Sequence, residues 1–110
     1  MQKCDLLYLN LSFIEQHYSE DISIEDSSSF CGLNRSYFSK VFRDTMGESP
    51  QGFLLHYRMA RAAQLLTESR LPISTISTMV SYPNQLHFSR AFKNVYGISP
   101  RDYCAKHLAL

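Results

Sequence analysis

Two short sets of side chains carry charge and hydrogen-bonding capacity at matched positions in this sequence. Ser39, Lys40 and Arg43 lie among Phe38, Val41 and Phe42; fifty residues later, Ser89, Arg90 and Lys93 lie among Phe88, Ala91 and Phe92. At about 100° per residue, the phenylalanines take one helix face. Ser36, Lys40 and Arg43, flanked by Arg35 and Ser39, take the other. The outward positions of the second set are Leu86, Arg90 and Lys93, flanked by Gln85 and Ser89, with His87 at the edge. Such a helix can pack through its rings and lay its front into a DNA major groove. Long cations then reach guanine or phosphate, and amide and hydroxyl groups read base edges. No nucleophile with a base and no metal triad accompanies them, so the pattern points away from an enzyme and calls for no cofactor.

The elements that position these residues are themselves repeated. Phe38/Phe88, Ser39/Ser89, Phe42/Phe92, Gly47/Gly97, Ser49/Ser99 and Pro50/Pro100 are identical, and Lys40/Arg90 and Arg43/Lys93 keep their charge. This reads as a tandem duplication of one supersecondary unit. Asn34 and Asn84 stand where an N-cap oxygen is needed, Gly47 and Gly97 where a left-handed C-cap is needed. Ser49-Pro50 and Ser99-Pro100 then restart a helix, Ser as cap and Pro as first helical residue.

Around the repeats the periodicity predicts an all-α chain of seven helices, two helix-turn-helix units joined by a long linker helix. Leu7, Leu11, Ile14 and Tyr18 mark a first helix over residues 5–18, with Leu6 and Phe13 widening its stripe. Ser23 and Asp26 resemble a capping box opening a short helix over 24–31; Gly32-Leu33-Asn34 is the turn into the first repeated helix. Pro50 to Glu68 is the longest helix, with Phe53, Leu54, Tyr57, Ala60, Ala62, Leu65 and Leu66 inward. At about 1.5 Å per residue it spans roughly 28 Å, near the roughly 34 Å of one duplex turn, and reads as a strut. Residues 73–80 repeat the supporting helix with Ile73, Ile76 and Val80 inward. Ser81-Tyr82 aligns with Gly32-Leu33 at an offset of 49, so the second turn, which holds Pro83, is one residue longer. The last helix runs from Pro100 to His107 with Tyr103 inward. The expected organisation is residues 1–49, a first subdomain; 50–70, the linker; and 71–110, a second subdomain.

The chain has 110 residues, 45% of them hydrophobic, which is enough core for one domain or two very small ones. The formal net charge is only +1, yet it is unevenly spread. Residues 1–30 set Lys3 against six carboxylates, a net −5, whereas residues 31–110 set ten Lys/Arg against four carboxylates, a net +6. A basic face can therefore coexist with a near-neutral total. Cys4, Cys31 and Cys104 lack a paired spacing and read as reduced thiols in a reducing compartment, with no metal site. No apolar run suits a membrane span and no signal peptide is evident, so a cytoplasmic location is expected.

Two helix-turn-helix units, each closing on Phe-x-x-x-Phe-Lys/Arg-x-x-x-Gly-x-Ser-Pro, together with Arg58-Met59-x-x-Ala62-x-x-Leu65-Leu66 in the linker, resemble the DNA-binding domain of the AraC/XylS transcriptional regulators. The resemblance covers about residues 7–107. It implies a bacterial regulator whose two reading helices enter adjacent major-groove segments of double-stranded DNA. It assigns base contact to Arg35, Ser36, Ser39, Lys40, Gln85, Leu86, His87, Ser89 and Arg90, and phosphate contact to Arg43 and Lys93. It further implies RNA polymerase as a partner and a separate effector or dimerisation domain, so that the chain is either an excised C-terminal domain or a short single-domain regulator. Four positions depart from the family pattern. Leu86 replaces a polar residue and suits a thymine methyl; Ser27 replaces an apolar residue; Ser81 replaces a turn glycine; Cys104 replaces an Arg.

Blander roles compete at each position. The four front cations also suit a solvated surface, His87 needs no role, and His17, His56 and His107 lack ligand spacing. Arg58 and Arg61 read as structural. A rival function is a protein-interaction module that docks polymerase or a sensor domain through the same polar faces.

Overall fold

The computed structural model describes residues 3–22 and 24–108, apart from the side chains of 3–8, 24, 25, 27 and 108. Seven α-helices and no strand occur among the described residues. They are α1 (Lys3–His17), α2 (Ile24–Phe30), α3 (Arg35–Met46), α4 (Pro50–Glu68), α5 (Ile73–Met79), α6 (Gln85–Tyr96) and α7 (Pro100–Leu108). The all-α, seven-helix expectation holds. The chain groups into two compact units, Met1–Leu55 and His56–Leu110, whose border lies within α4. The capping role expected of Ser23, and the parts given to Leu6, Leu7 and the Ser27 side chain, lie outside the described residues.

In the first unit, Cys31, Phe38 and Phe42 form a buried cluster, with Leu9, Leu33 and Phe53 packed against it. The Phe38 and Phe42 ring centroids are 5.9 Å apart, and Phe42 meets Phe53 edge-on at 5.5 Å. Aromatic pairs in such geometries add about 0.5–1.5 kcal/mol beyond burial. Burial also pushes the Cys31 thiol above its ordinary range, so it stays protonated and acts as a small apolar filler.

The α1 stripe differs from the periodicity reading. Among its described side chains the innermost are Ile14 and Asn10, while Leu11, Phe13 and Tyr18 are half-buried. Asn10 is 0% exposed, and among the described residues neither polar atom of its amide has a hydrogen-bond partner. A hydrophobicity pattern skips an asparagine by construction. Only the packing reveals that this position faces inward.

In the second unit, Ile76, Val80, Phe88 and Phe92 are fully buried. Phe92 is the hub: its ring lies 5.9 Å from Phe88, 4.7 Å from Tyr96 and 5.3 Å edge-on from Tyr103. Tyr103 thus turns inward as expected. Its neighbour Cys104 points its thiol at the Leu66 carbonyl, 3.6 Å away. Along α4, Met59, Ala62, Ala63 and Leu66 are buried, an i, i+3, i+4, i+7 stripe. Ala60, expected inward, is exposed, because that stripe turns it outward. The Arg61 guanidinium donates to the Gln64 side-chain oxygen one turn on.

Both supporting helices end on the same device. In the first turn the Gly32 N–H donates to the Ser29 carbonyl at 3.0 Å and the Leu33 N–H to the Ser28 carbonyl at 2.9 Å. In the second, Ser81 N–H donates to Thr78 at 3.1 Å and Tyr82 N–H to Ser77 at 2.8 Å, the same pattern 49 residues later. Ser28 and Ser77 are both buried, and the Ser77 hydroxyl donates to the Tyr82 carbonyl across the turn. Gly32 has φ +72° and Ser81 φ +67°. Both turns therefore need the left-handed region, and in the second a side-chain-bearing residue is held there.

Candidate nucleic-acid interface

Matched ends hold α3 and α6. The Asn34 side-chain oxygen accepts the Tyr37 N–H at 2.9 Å; the Asn84 oxygen accepts those of Leu86 at 2.9 Å and His87 at 3.3 Å. These caps satisfy N–H groups that a helix start leaves orphaned, worth about 0.5–2 kcal/mol each. At the far ends, Gly47 and Gly97 adopt φ +79° and +81°, and their N–H groups donate to Arg43 and Lys93 carbonyls at 2.9 and 2.7 Å. The restarts also match. The Ser49 hydroxyl accepts the Gly52 N–H and the Ser99 hydroxyl the Asp102 N–H, each at 3.1 Å. Both helices are thus 12 residues long with the same two stops.

Between those stops the side chains sort by face. Phe38, Val41 and Phe42 are buried in α3, Phe88 and Phe92 in α6. The opposite face of α3 is a stripe of Ser36, Ser39, Lys40 and Arg43; that of α6 is Leu86, Ser89, Arg90 and Lys93, each at i, i+3, i+4, i+7. Burial agrees position by position: in both stripes the first, third and fourth members are exposed and the serine is half-buried. Arg35, Gln85 and His87, at the edges, are exposed too. Each residue assigned to base or phosphate therefore lies on the outward side of its own helix, with Ser39 and Ser89 partly withdrawn. Lys40, Arg43, Arg90 and Lys93 make no ion pair with a described residue. Four unneutralised cations on two presented faces suit a polyanion.

One residue of this face was passed over in the sequence reading. Tyr37 is 47% exposed and stands at the register of His87, fifty residues earlier. The duplication carried the signal: once His87 is placed at an edge, its counterpart belongs there too. At the other end of α6, burial and the neighbouring Tyr103 push the Tyr96 phenol above its ordinary range, so it adds no charge to the face.

No helix among the described residues is long and apolar enough to cross a membrane. The sequence model of a helix-turn-helix domain matches residues 28–106, most of the chain. A probable transcriptional regulator, LumQ of Photobacterium leiognathi, is 36% identical over 92 residues, which are 84% of this chain and 37% of that protein. Across the first curated relatives the match spans only 32–37% of their length. Among solved structures, an AraC-type DNA-binding-domain regulator from Chromobacterium violaceum superposes with a TM-score of 0.87 at 27% identity, covering 94% of this chain and 92% of that one. The DNA-binding domain of the global transcriptional factor AdpA, in complex with a target DNA, superposes with a TM-score of 0.89 over 94% of this chain and 93% of its own. Its 22% identity makes this a likeness of fold alone.

Proposed function

Because this chain belongs to the AraC/XylS family of bacterial helix-turn-helix DNA-binding domains, we propose that it binds double-stranded DNA sequence-specifically, with α3 and α6 in adjacent major-groove segments. Arg35, Ser36, Ser39 and Lys40 read bases from α3, and Gln85, Leu86, His87, Ser89 and Arg90 from α6. Arg43 and Lys93, one turn further along each stripe, hold phosphates. Specific affinity then comes from the base-edge contacts, and the cations add a sequence-independent, salt-sensitive part. One observation carries this reading: the two stripes repeat residue by residue in exposure while their cations make no ion pair with a described residue. The AdpA DNA-binding domain, which shares this fold, was solved in complex with a target DNA.

Such a domain works in the bacterial cytoplasm as part of a transcriptional regulator rather than an enzyme. RNA polymerase is its natural protein partner. Its curated relatives, about three times the matched length, leave room for an effector or dimerisation domain.

Selection of bound duplexes from a random pool tests the proposal. Two recognised motifs about one helical turn apart are expected. Log affinity should fall with log salt at roughly 0.9 per neutralised phosphate. A pool that yields no enriched sequence, or an affinity that ignores salt, refutes it and turns attention to docking of a protein through these faces.

A further inference from the structure

Leu86 breaks an otherwise polar stripe. Ser89, Arg90 and Lys93 share its face of α6, and the matched stripe of α3 has Ser36 in its place. The remaining apolar side chains of α6 lie elsewhere. Phe88 and Phe92 are buried, and Tyr96 stacks on Phe92 at the far end. Leu86 is 57% exposed, the highest exposure of any large apolar residue among those described. Its place is also well defined, since the Asn84 side chain accepts the Leu86 N–H at 2.9 Å and sets the first turn. A leucine in this position has no hydrogen bond to offer a base edge. The one apolar feature of the major groove is the methyl group on C5 of thymine.

On the footing of the DNA-reading role above, we infer that Leu86 makes α6 a reader of C5-methylpyrimidines: at one base pair it selects the methyl group itself. Thymine satisfies it, and so does 5-methylcytosine, which presents the same methyl at the same ring position. Deoxyuridine and unmodified cytosine do not. Cytosine methylation at that base pair therefore raises affinity, a sensitivity the serine stripe of α3 lacks.

The test uses the whole chain and a duplex selected from the random pool. Each thymine is replaced singly by deoxyuridine, and at the responding base pair cytosine is compared with 5-methylcytosine. These two exchanges each change only the methyl group. One thymine should respond, with affinity falling about three- to five-fold on loss of a single buried methyl. 5-Methylcytosine should bind tighter than cytosine by a similar factor. Both differences should vanish in Leu86→Ala and in Leu86→Ser, which restores the α3 side chain; an exposed position tolerates both. Specific binding with no responding thymine overturns the inference and leaves the DNA-reading role standing, as does a methyl effect that persists in both variants. Failure to select any sequence removes the role itself.

Discussion

At the turn before the reading helix, the first unit places Gly32 and the second Ser81 at nearly the same positive φ. At the start of that helix, the first presents Arg35, Ser36 and Tyr37, the second Gln85, Leu86 and His87. Behind these differences the phenylalanines, asparagine caps, glycine stops and serine restarts coincide. Positions answering to packing or backbone geometry have largely stayed alike, and so has the charge of the later outward positions, whereas the outward positions of the first turn have diverged. The exception teaches as much as the rule. Ser81 holds a conformation that disfavours side chains, so the turn's shape is imposed by its surroundings: the second supporting helix buries Ile76, Ser77 and Val80 and ties Ser77 to Tyr82.

The equivalence of the units is open to direct attack, most forcefully at Phe42 and Phe92. Truncating either to Ala should lose about 3–5 kcal/mol by chemical denaturation, since both rings are fully buried. A loss under about 1 kcal/mol at one of them would break the equivalence.

Divergence of function along one stripe is the next target. Arg90→Ala should weaken specific binding by about 1–3 kcal/mol and relax preference at one base pair. Lys93→Ala should weaken all sequences alike and lower the salt slope by about one. Competition titrations against altered duplexes at several salt concentrations separate the two outcomes; identical profiles would merge the roles.

A third contrast is confined to the first unit. The Asn10 amide, unpartnered among the described residues, should cost about 1–3 kcal/mol, so Asn10→Leu, close in volume, is expected to raise stability by about 1 kcal/mol. A loss measured in urea would mean that the amide is satisfied in solution.

The smallest effect carries the sharpest sign. Ser81→Gly should stabilise by about 0.5–1 kcal/mol, as relief of left-handed strain exceeds glycine's extra unfolded-state freedom. Gly32→Ser should destabilise by a similar amount, and no neighbour lies within 4 Å of a Cβ added there. Paired thermal melts giving equal signs would sink the explanation.

Much of this was legible because duplication doubles every signal. Asn34 and Asn84, Gly47 and Gly97, Ser49 and Ser99 each mark a helix boundary by chemistry that acts within a few residues, and local chemistry survives translation into sequence. The inward polar residues were not legible. Ser28 and Ser77 look like solvent-loving residues until the chain turns over them, which for Ser77 brings the Tyr82 carbonyl within reach, and Asn10 is buried with nothing to announce it. Ala60 faces outward and Met59 inward for another reason: an alanine-rich helix offers several near-equal faces, and only its partners choose among them. At the candidate interface, exposure of the stripes followed from helical geometry. Tyr37 escaped notice because an aromatic ring in a helix is first assumed to belong inside.

The asparagine caps sit outside the reading stripes, yet they fix the first turn from which residues 35–37 and 85–87 project. Those six side chains could therefore be exchanged as a cassette without disturbing the helix ends that present them. Retargeting such a domain to a new operator would become a problem of chemistry at the tip, with the scaffold left untouched.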